Sequence, residues 1–148
     1  PFKFKITGRT KHFINAFGEE IIIDNAENAI KIACDHTGAV VNEYTAGPVF
    51  MGDNRKGAHQ WIIEFETPPD DLEHFITVLD NSLKTINSDY EAKRHKNLTL
   101  ERPHVKAVNN GTFYNWMKTR NKVGGQNKIP RLSNDRKYLE DLLEMLGE

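Results

Sequence analysis

The stretch Pro68-Pro69-Asp70-Asp71-Leu72-Glu73-His74-Phe75-Ile76-Thr77-Val78-Leu79-Asp80-Asn81-Ser82-Leu83-Lys84-Thr85-Ile86 decides the fold. Its prolines fix φ and its carboxylates sit where the first-turn N–H groups are unpaired, so Pro68 to Asp71 marks a helix start. Leu72, Phe75, Ile76, Leu79, Leu83 and Ile86 then recur at three- and four-residue spacing. That stripe is one apolar face of a helix and belongs to a core rather than to a cofactor.

Working upstream, Ala39 to Thr45 and Gln60 to Glu66 read as strands. Val40, Val41, Trp61, Ile63 and Phe65 supply their buried faces. Between them lie Gly47-Pro48 and the polar, glycine-bounded Gly52-Asp53-Asn54-Arg55-Lys56-Gly57, which has the composition of a hairpin loop. Before them, Ile21-Ile22-Ile23 leads into a helix through Ala26, Ala29, Ile30 and Ala33 that stops at Gly38. At the start of the chain Phe2, Phe4 and Ile6 alternate with Lys3, Lys5 and Thr7, a half-buried strand ended by Gly8. A domain that opens in mid-strand reads as a piece of something longer.

Downstream, a short helix starts at Ser88. Pro103 to Val108 is a strand, placed at an edge by its proline. Asn109-Asn110-Gly111-Thr112 turns into a helix carrying Phe113, Trp116 and Met117, and Gly124-Gly125 ends that unit. A closing helix is expected to begin near Ser133-Asn134-Asp135 and to bury Leu139, Leu142, Leu143 and Leu146. Strands and helices are mixed without strict βαβ repetition. The expected fold class is α+β, a small mixed or antiparallel sheet with helices packed against it, in a single domain over residues 1–148.

Charge narrows the function classes. Twenty Lys and Arg against 21 Asp and Glu leave a net charge of −1, so no field steers the molecule toward nucleic acid or an anionic membrane. The basic run Lys93-Arg94-His95-Lys96 continues a helix and complements the dipole at its C-terminal end. No segment approaches the ~20 apolar residues of a membrane-spanning helix or has the form of a signal peptide, which reads as cytoplasmic. Cys34, a lone cysteine at a helical position, reads as a buried inert thiol in a reducing compartment. The six histidines show no ligand spacing, so no metal site is expected.

Phosphate-loop, His-Glu-x-x-His and Gly-x-Ser-x-Gly motifs are missing from the sequence. Two loops remain as places for chemistry: Gly8-Arg9-Thr10-Lys11, followed by the turn at Gly18, and Gly124-Gly125-Gln126-Asn127-Lys128-Ile129-Pro130-Arg131. A lysine on a glycine-flexed, proline-clamped loop can present a compact cation with three donors to a phosphate.

Gly8 to Asn15 with Gly18-Glu19-Glu20 is similar to the hinge motif of the acyl-adenylate-forming superfamily. Asn87-Ser88-Asp89-Tyr90 with Arg94, Gly111-Thr112-Phe113, and Gln126 to Arg131 resemble the C-terminal signature of one of its branches, the auxin-responsive acyl-acid amido synthetases. The resemblance runs almost end to end. It implies the C-terminal lid domain of an ATP-using ligase, in which a carboxylate is first adenylated and an amino acid then displaces AMP to form an amide. By position in these motifs, Lys128 would stabilise negative charge at the phosphates and Arg9 would face the nucleotide ribose. Thr10 or Lys11 would be the pivot, and Gly18, Glu19 and Glu20 would approach the acceptor amine in one lid orientation. ATP and Mg2+ would be bound mainly by a large N-terminal adenylating domain of the same polypeptide, outside this chain. The other partners implied are a small carboxylic acid and an amino acid, and the isolated chain is expected to show no turnover. Two departures stand out. Thr10-Lys11 occupies the place where the superfamily often has aspartate, and Asn127 precedes the lysine where glycine is common. Competing readings are a free-standing α+β binding or regulatory module and the lid of a ligase that passes the acyl group to coenzyme A.

Overall fold

The computed structural model describes residues 13–51, 56–97, 99–119 and 130–147. The strand expected at Phe2–Ile6 and the Gly124-Gly125 stop lie outside the described residues. In chain order the elements are β1 (Phe13–Ile14), β2 (Ile21–Ile22), α1 (Ile23–Thr37), β3 (Val40–Met51), β4 (Lys56–Thr67), α2 (Leu72–Ile86), α3 (Ser88–Arg94), β5 (His104–Val108), α4 (Thr112–Thr119) and α5 (Lys137–Met145). A 3-10 turn, His95–Asn97, follows α3. No helix among the described residues is long and apolar enough to cross a membrane.

The main sheet has the order β3-β4-β5, with β3 antiparallel and β5 parallel to the central strand. A separate two-stranded ribbon pairs Phe13 with Ile22 and Ile14 with Ile21. The architecture is the expected α+β, a small mixed sheet covered by helices, and β5 is the expected edge strand.

Period-two alternation captures only one face of β4. Trp61, Ile63 and Phe65 do turn into a core shared with Ala29, Ile30 and Ala33 of α1 and with Phe75, Leu79 and Leu83 of α2. Phe65 meets Phe75 edge to face, with ring centroids 5.2 Å apart. Ile62, between them in sequence, is just as buried on the opposite face, against Phe113 and Trp116 of α4 and Leu139 and Leu142 of α5. A strand covered on both faces reads as a continuous apolar run rather than an alternation. Burying the Ile62 side chain alone contributes about 1.5–3 kcal/mol.

Other boundaries differ from expectation for physical reasons. Asp71 is the N-cap of α2, its Oδ1 accepting from Glu73 N at 3.0 Å, so Pro68 and Pro69 lie ahead of the first turn rather than in it. α5 starts at Lys137 rather than near Ser133, with Asp135 Oδ1 accepting from Lys137 N at 3.0 Å. Val40, expected in the core, is 45% exposed, because register shifts between Val40 and Glu43 bend the start of an edge strand. Gly38 ends α1 as expected, in the left-handed region at φ 75°, donating to Cys34 O.

The hairpin loop is shorter than its composition suggests. Gly47, Pro48, Lys56 and Gly57 all belong to strands, while residues 52–55 lie outside the described residues. Pro48 is tolerated because of where its nitrogen points. Ala46 turns both its N–H and its C=O away from β4, to Arg131 O and Ser133 N, and two residues on Pro48 does the same. Its missing N–H therefore costs no ladder bond, and its carbonyl accepts from Arg136 Nη1 at 3.0 Å.

Gly57 is required by close approach. Its N–H donates to Thr99 O and its carbonyl accepts from Glu101 N, while a Cβ there would stand 2.2 Å from Val49 O and 2.4 Å from Phe17 Cζ. We expect Gly57→Ala to lower the unfolding free energy by about 3 kcal/mol, at the upper end of overpacking costs. Urea denaturation followed by tryptophan fluorescence measures this, and an unchanged midpoint would refute the contact.

Candidate functional site

Arg9, Thr10, Lys11 and Lys128 lie outside the described residues. Described chain resumes at Phe13 after the first of these and at Pro130 after the second, and the two segments meet at one corner of the domain. Asn15, in the turn between β1 and β2, donates its N–H to Asn134 Oδ1 at 2.6 Å. The segment after the Lys128 loop thus meets the segment after the Arg9 to Lys11 loop.

The segment from Pro130 to Ser133 adds itself in parallel to the outer edge of β3. Thr45 Oγ1 donates to Pro130 O at 3.0 Å, Ala46 N to Arg131 O at 2.8 Å, and Ser133 N to Ala46 O at 3.1 Å. Leu132 is fully buried beneath it. The Arg131 guanidinium donates from Nε to Glu43 Oε1 and from Nη1 to Glu27 Oε2, both at 2.7 Å, and lies over the Tyr44 ring. Tyr44 Oη donates to the same Glu27 oxygen at 2.6 Å. Burial and then the Glu27 carboxylate push the Tyr44 phenol well above its ordinary value, so it stays a donor. Partial burial opposes the charge on Arg131, but hydrogen bonds to Glu43 and Glu27 outweigh it and push that group further up.

The Gly18-Glu19-Glu20 turn divides its side chains. Gly18 takes φ 89° and Glu20 φ 47°, and Glu20 O accepts from Asn87 Nδ2 at 3.0 Å. Glu19 is turned inward and wholly buried: Oε1 accepts from Phe17 N at 2.8 Å and Oε2 lies 2.5 Å from His59 Nε2. His59 sits between the rings of Phe17 and Tyr90, and its Nδ1 has no hydrogen-bond partner among the described residues. The backbone and Glu20 are what this turn offers to a neighbour.

The other signature residues build frame rather than surface. Asn87 caps α3 by accepting from Tyr90 N at 2.8 Å and also donates to Asn25 Oδ1. Tyr90 Oη, Arg94 Nε and Arg94 Nη2 all converge on the buried Asp80 carboxylate, at 2.6, 2.8 and 2.5 Å. The basic run is split accordingly: Arg94 goes inward while His95 and Lys96 stay exposed. Gly111 takes φ 96° at the turn into α4, and Phe113 N donates to the buried Glu64 Oε1 at 2.7 Å. The second Glu64 oxygen accepts from Asn42 Nδ2, which also donates to Asn110 Oδ1. Asp80, Glu64, Glu27, Glu43 and His59 carry these networks and escape the reading of the sequence. A signal exists for Asp80 and Glu64, since each is an acid inside an otherwise apolar stripe.

Cys34 is half-buried, and burial raises its thiol pKa, the direction of an unreactive side chain. Among the described residues no cluster of His, Cys, Asp and Glu is placed to hold a metal ion.

A small α+β domain with two loop flanks held at one corner is thus the class that fold and geometry define. The model of the GH3 family C-terminal domain matches residues 24–137. The chain belongs to the GH3 family through this domain, the family its signature residues resemble. The match takes in Lys128 and begins after Arg9 and the Gly18 to Glu20 turn. Among solved structures, the chain is similar to one described as GH3.15 acyl acid amido synthetase, with TM-score 0.67 and 17% identity over 91% of this chain and 26% of that one. A second, AtGH3.15 acyl acid amido synthetase in complex with 2,4-DB, matches at TM-score 0.67 and 17% identity over 90% of this chain and 25% of that one. The chain therefore spans about a quarter of their length. No curated protein sequence matches it significantly.

The buried carboxylate yields a test. Burial alone would raise the Asp80 pKa, but hydrogen bonds from Arg94 and Tyr90 hold it below the ordinary 3.8. Its contribution to stability is therefore present above pH 3.8 and lost as pH falls through the lower folded-state value. Asp80→Asn removes the buried charge on which Arg94 and Tyr90 converge and should cost about 3 kcal/mol at neutral pH. The gap between variant and wild type, read from urea denaturation midpoints, should narrow under acid; a gap independent of pH would contradict the network.

Proposed function

We propose that this domain is the lid of an ATP-dependent acyl-acid amido synthetase, working with an N-terminal adenylating domain of the same polypeptide in the cytoplasm. The supporting observation is the family match across residues 24–137, which includes the Lys128 loop. In the first step a carboxylate oxygen attacks the α-phosphorus of ATP, the bond to the bridging oxygen breaks, and pyrophosphate leaves. In the second, the amine of an amino acid attacks the acyl carbon, AMP leaves with the electron pair of the breaking C–O bond, and the amine's proton is lost to base. ATP and Mg2+ are bound mainly by the larger domain.

Negative charge grows on the α-phosphoryl and the leaving pyrophosphate, so a fixed cation lowers the barrier if it binds the transition state more tightly than the ground state. Lys128 is that cation in this reading. Arg9 contacts the nucleotide ribose, Thr10 or Lys11 is the pivot, and the exposed Gly18 and Glu20 backbone borders the acceptor amine. Glu19 contributes by holding that turn through Phe17 N rather than by meeting substrate.

Replacing Lys128 by alanine in the two-domain polypeptide should slow ATP–pyrophosphate exchange about a hundredfold, the scale of losing one transition-state donor. Exchange at the wild-type rate would remove Lys128 from the mechanism. Supplying an amino acid or coenzyme A as acceptor and identifying the product then separates amide from thioester formation.

A further inference from the structure

In the basic run that closes α3, Lys93 lies against the turn between β1 and β2. Its base is fixed: Lys93 O accepts from Leu100 N at 2.9 Å, and the next residue, Arg94, is held by the buried Asp80. The side chain is half-buried and runs along the turn, where Cε and Nζ would stand 3.1 and 3.3 Å from a Cβ on Gly18. Any side chain at position 18 would push the ammonium away, in addition to the strain of φ 89°. Among the described residues the Lys93 ammonium makes no hydrogen bond or ion pair. Lys56, Lys84, Arg102, Arg131 and Arg136, which are also half-buried, each meet a carboxylate.

The turn beneath that ammonium is stiff. The wholly buried Glu19 ties it to Phe17 N and to His59, and Asn87 Nδ2 holds the Glu20 carbonyl. Gly18 N donates to Asn15 O, and Glu20 N to Asn15 Oδ1. A half-buried cation laid on a stiff, glycine-bared turn is a preformed point of attraction for an anion. Much of its side-chain freedom is already lost, and partial removal from water strengthens its pull. The acceptor in the proposed reaction is an amino acid, whose carboxylate is separated from its amine by a single carbon. A group that recognises this carboxylate has to stand beside whatever borders the amine, and Lys93 stands beside this turn.

We propose, resting on the reading that the Gly18 to Glu20 turn borders the acceptor amine, that Lys93 binds the acceptor's α-carboxylate. It thereby selects amino acids over simple amines. A lysine ammonium is a compact point charge with three donors, so it reads the charge of the acceptor and not the shape of its side chain.

The test is a cycle of enzyme against substrate in the two-domain polypeptide. The acid and amino acid are the pair that the wild type couples fastest among aryl carboxylic acids and the standard amino acids. That amino acid is compared with its primary amide, which keeps the amine and lacks the charge. Lys93→Met keeps an apolar stem to pack on Gly18 and removes the ammonium. It should lower kcat/KM for the amino acid about thirtyfold, mostly through KM, and for the amide less than about threefold, the scale of one hydrogen bond to a charged group. Lys93→Arg, which keeps the charge, should restore part of the preference. A wild type with no preference for the amino acid over its amide, or a Lys93→Met that keeps the preference in full, overturns the proposal. An equal loss in ATP–pyrophosphate exchange, which takes no amine, would assign the cation to the nucleotide and overturns it too. Should Lys93→Met lose its cooperative melting transition, Lys93→Gln is judged by the same criteria. A wild type that couples no amino acid fails the parent reading, and the Lys93 proposal with it. A wild type that couples amino acids beside a Lys93→Met of unchanged preference fails the Lys93 proposal alone.

Discussion

The constraint on which the rest of this domain depends is that the middle of β4, Trp61 to Glu64, is buried on both faces and paired on both edges. It carries a strand on each side and a helical layer on each face, so every polar group along it needs a partner from within the fold. Glu64 shows the consequence. A carboxylate inside this strand is tolerable only if both oxygens are satisfied, and the donors found are Asn42 on β3 and the Phe113 N–H in the first turn of α4. The position of α4 is thereby fixed to the strand by a charge-assisted bond at the end of the helix that favours negative charge. His59 shows it again: its Nε2 is met by Glu19, which brings the turn between β1 and β2 down onto the sheet.

Edges are handled by the same logic. β3 and β5 are the outer strands, and an unpaired outer ladder invites association. Along β3 the outward N–H and C=O of Ala46 are taken by the 131–133 segment, and the outward carbonyl of Pro48 by Arg136. At the far end of β4 the Thr99 to Glu101 segment bonds to Gly57 before β5 begins. Segments with irregular sequence act here as extra strands, which is why the sheet is more completely covered than its three named strands suggest.

Most of this architecture is legible in the sequence, and the illegible part has a common cause. Period-two alternation finds Trp61, Ile63 and Phe65, and helical spacing finds the apolar face of α2, because each needs only one covered face. Ile62 escapes because two-sided burial erases alternation. Gly47-Pro48 reads as loop because composition records turn preference and not the direction of a proline nitrogen at an edge. The start of α5 lies later than its capping residues suggest, because Ser133 and Asn134 belong to a segment docked on β3. At the site, the loop residues are visible in the sequence but their partners are not. Arg131 stands in a signature motif, yet Glu27 and Glu43 lie 104 and 88 positions away, and pairings at that range leave no local pattern.

In the proposed enzyme the same frame sets how a lid can move. A domain rotates as a unit only if its own contacts are stiffer than its connection, and the torsional change then falls on a few residues at an element's end. The bond from Asn15 N to Asn134, the Glu19 to His59 contact and the bonds from Asn87 to Glu20 and Asn25 tie the residues just after the pivot region to α1, α3 and the segment beside β3. Little freedom remains from Asn15 onward for a pivot to use. On the proposed reading, rotation would fall on residues that precede the β1–β2 turn in the sequence, Thr10 and Lys11 among them. The same corner also joins the segment after β1 to the Pro130–Ser133 segment docked on β3, so these two parts of the domain move as one body.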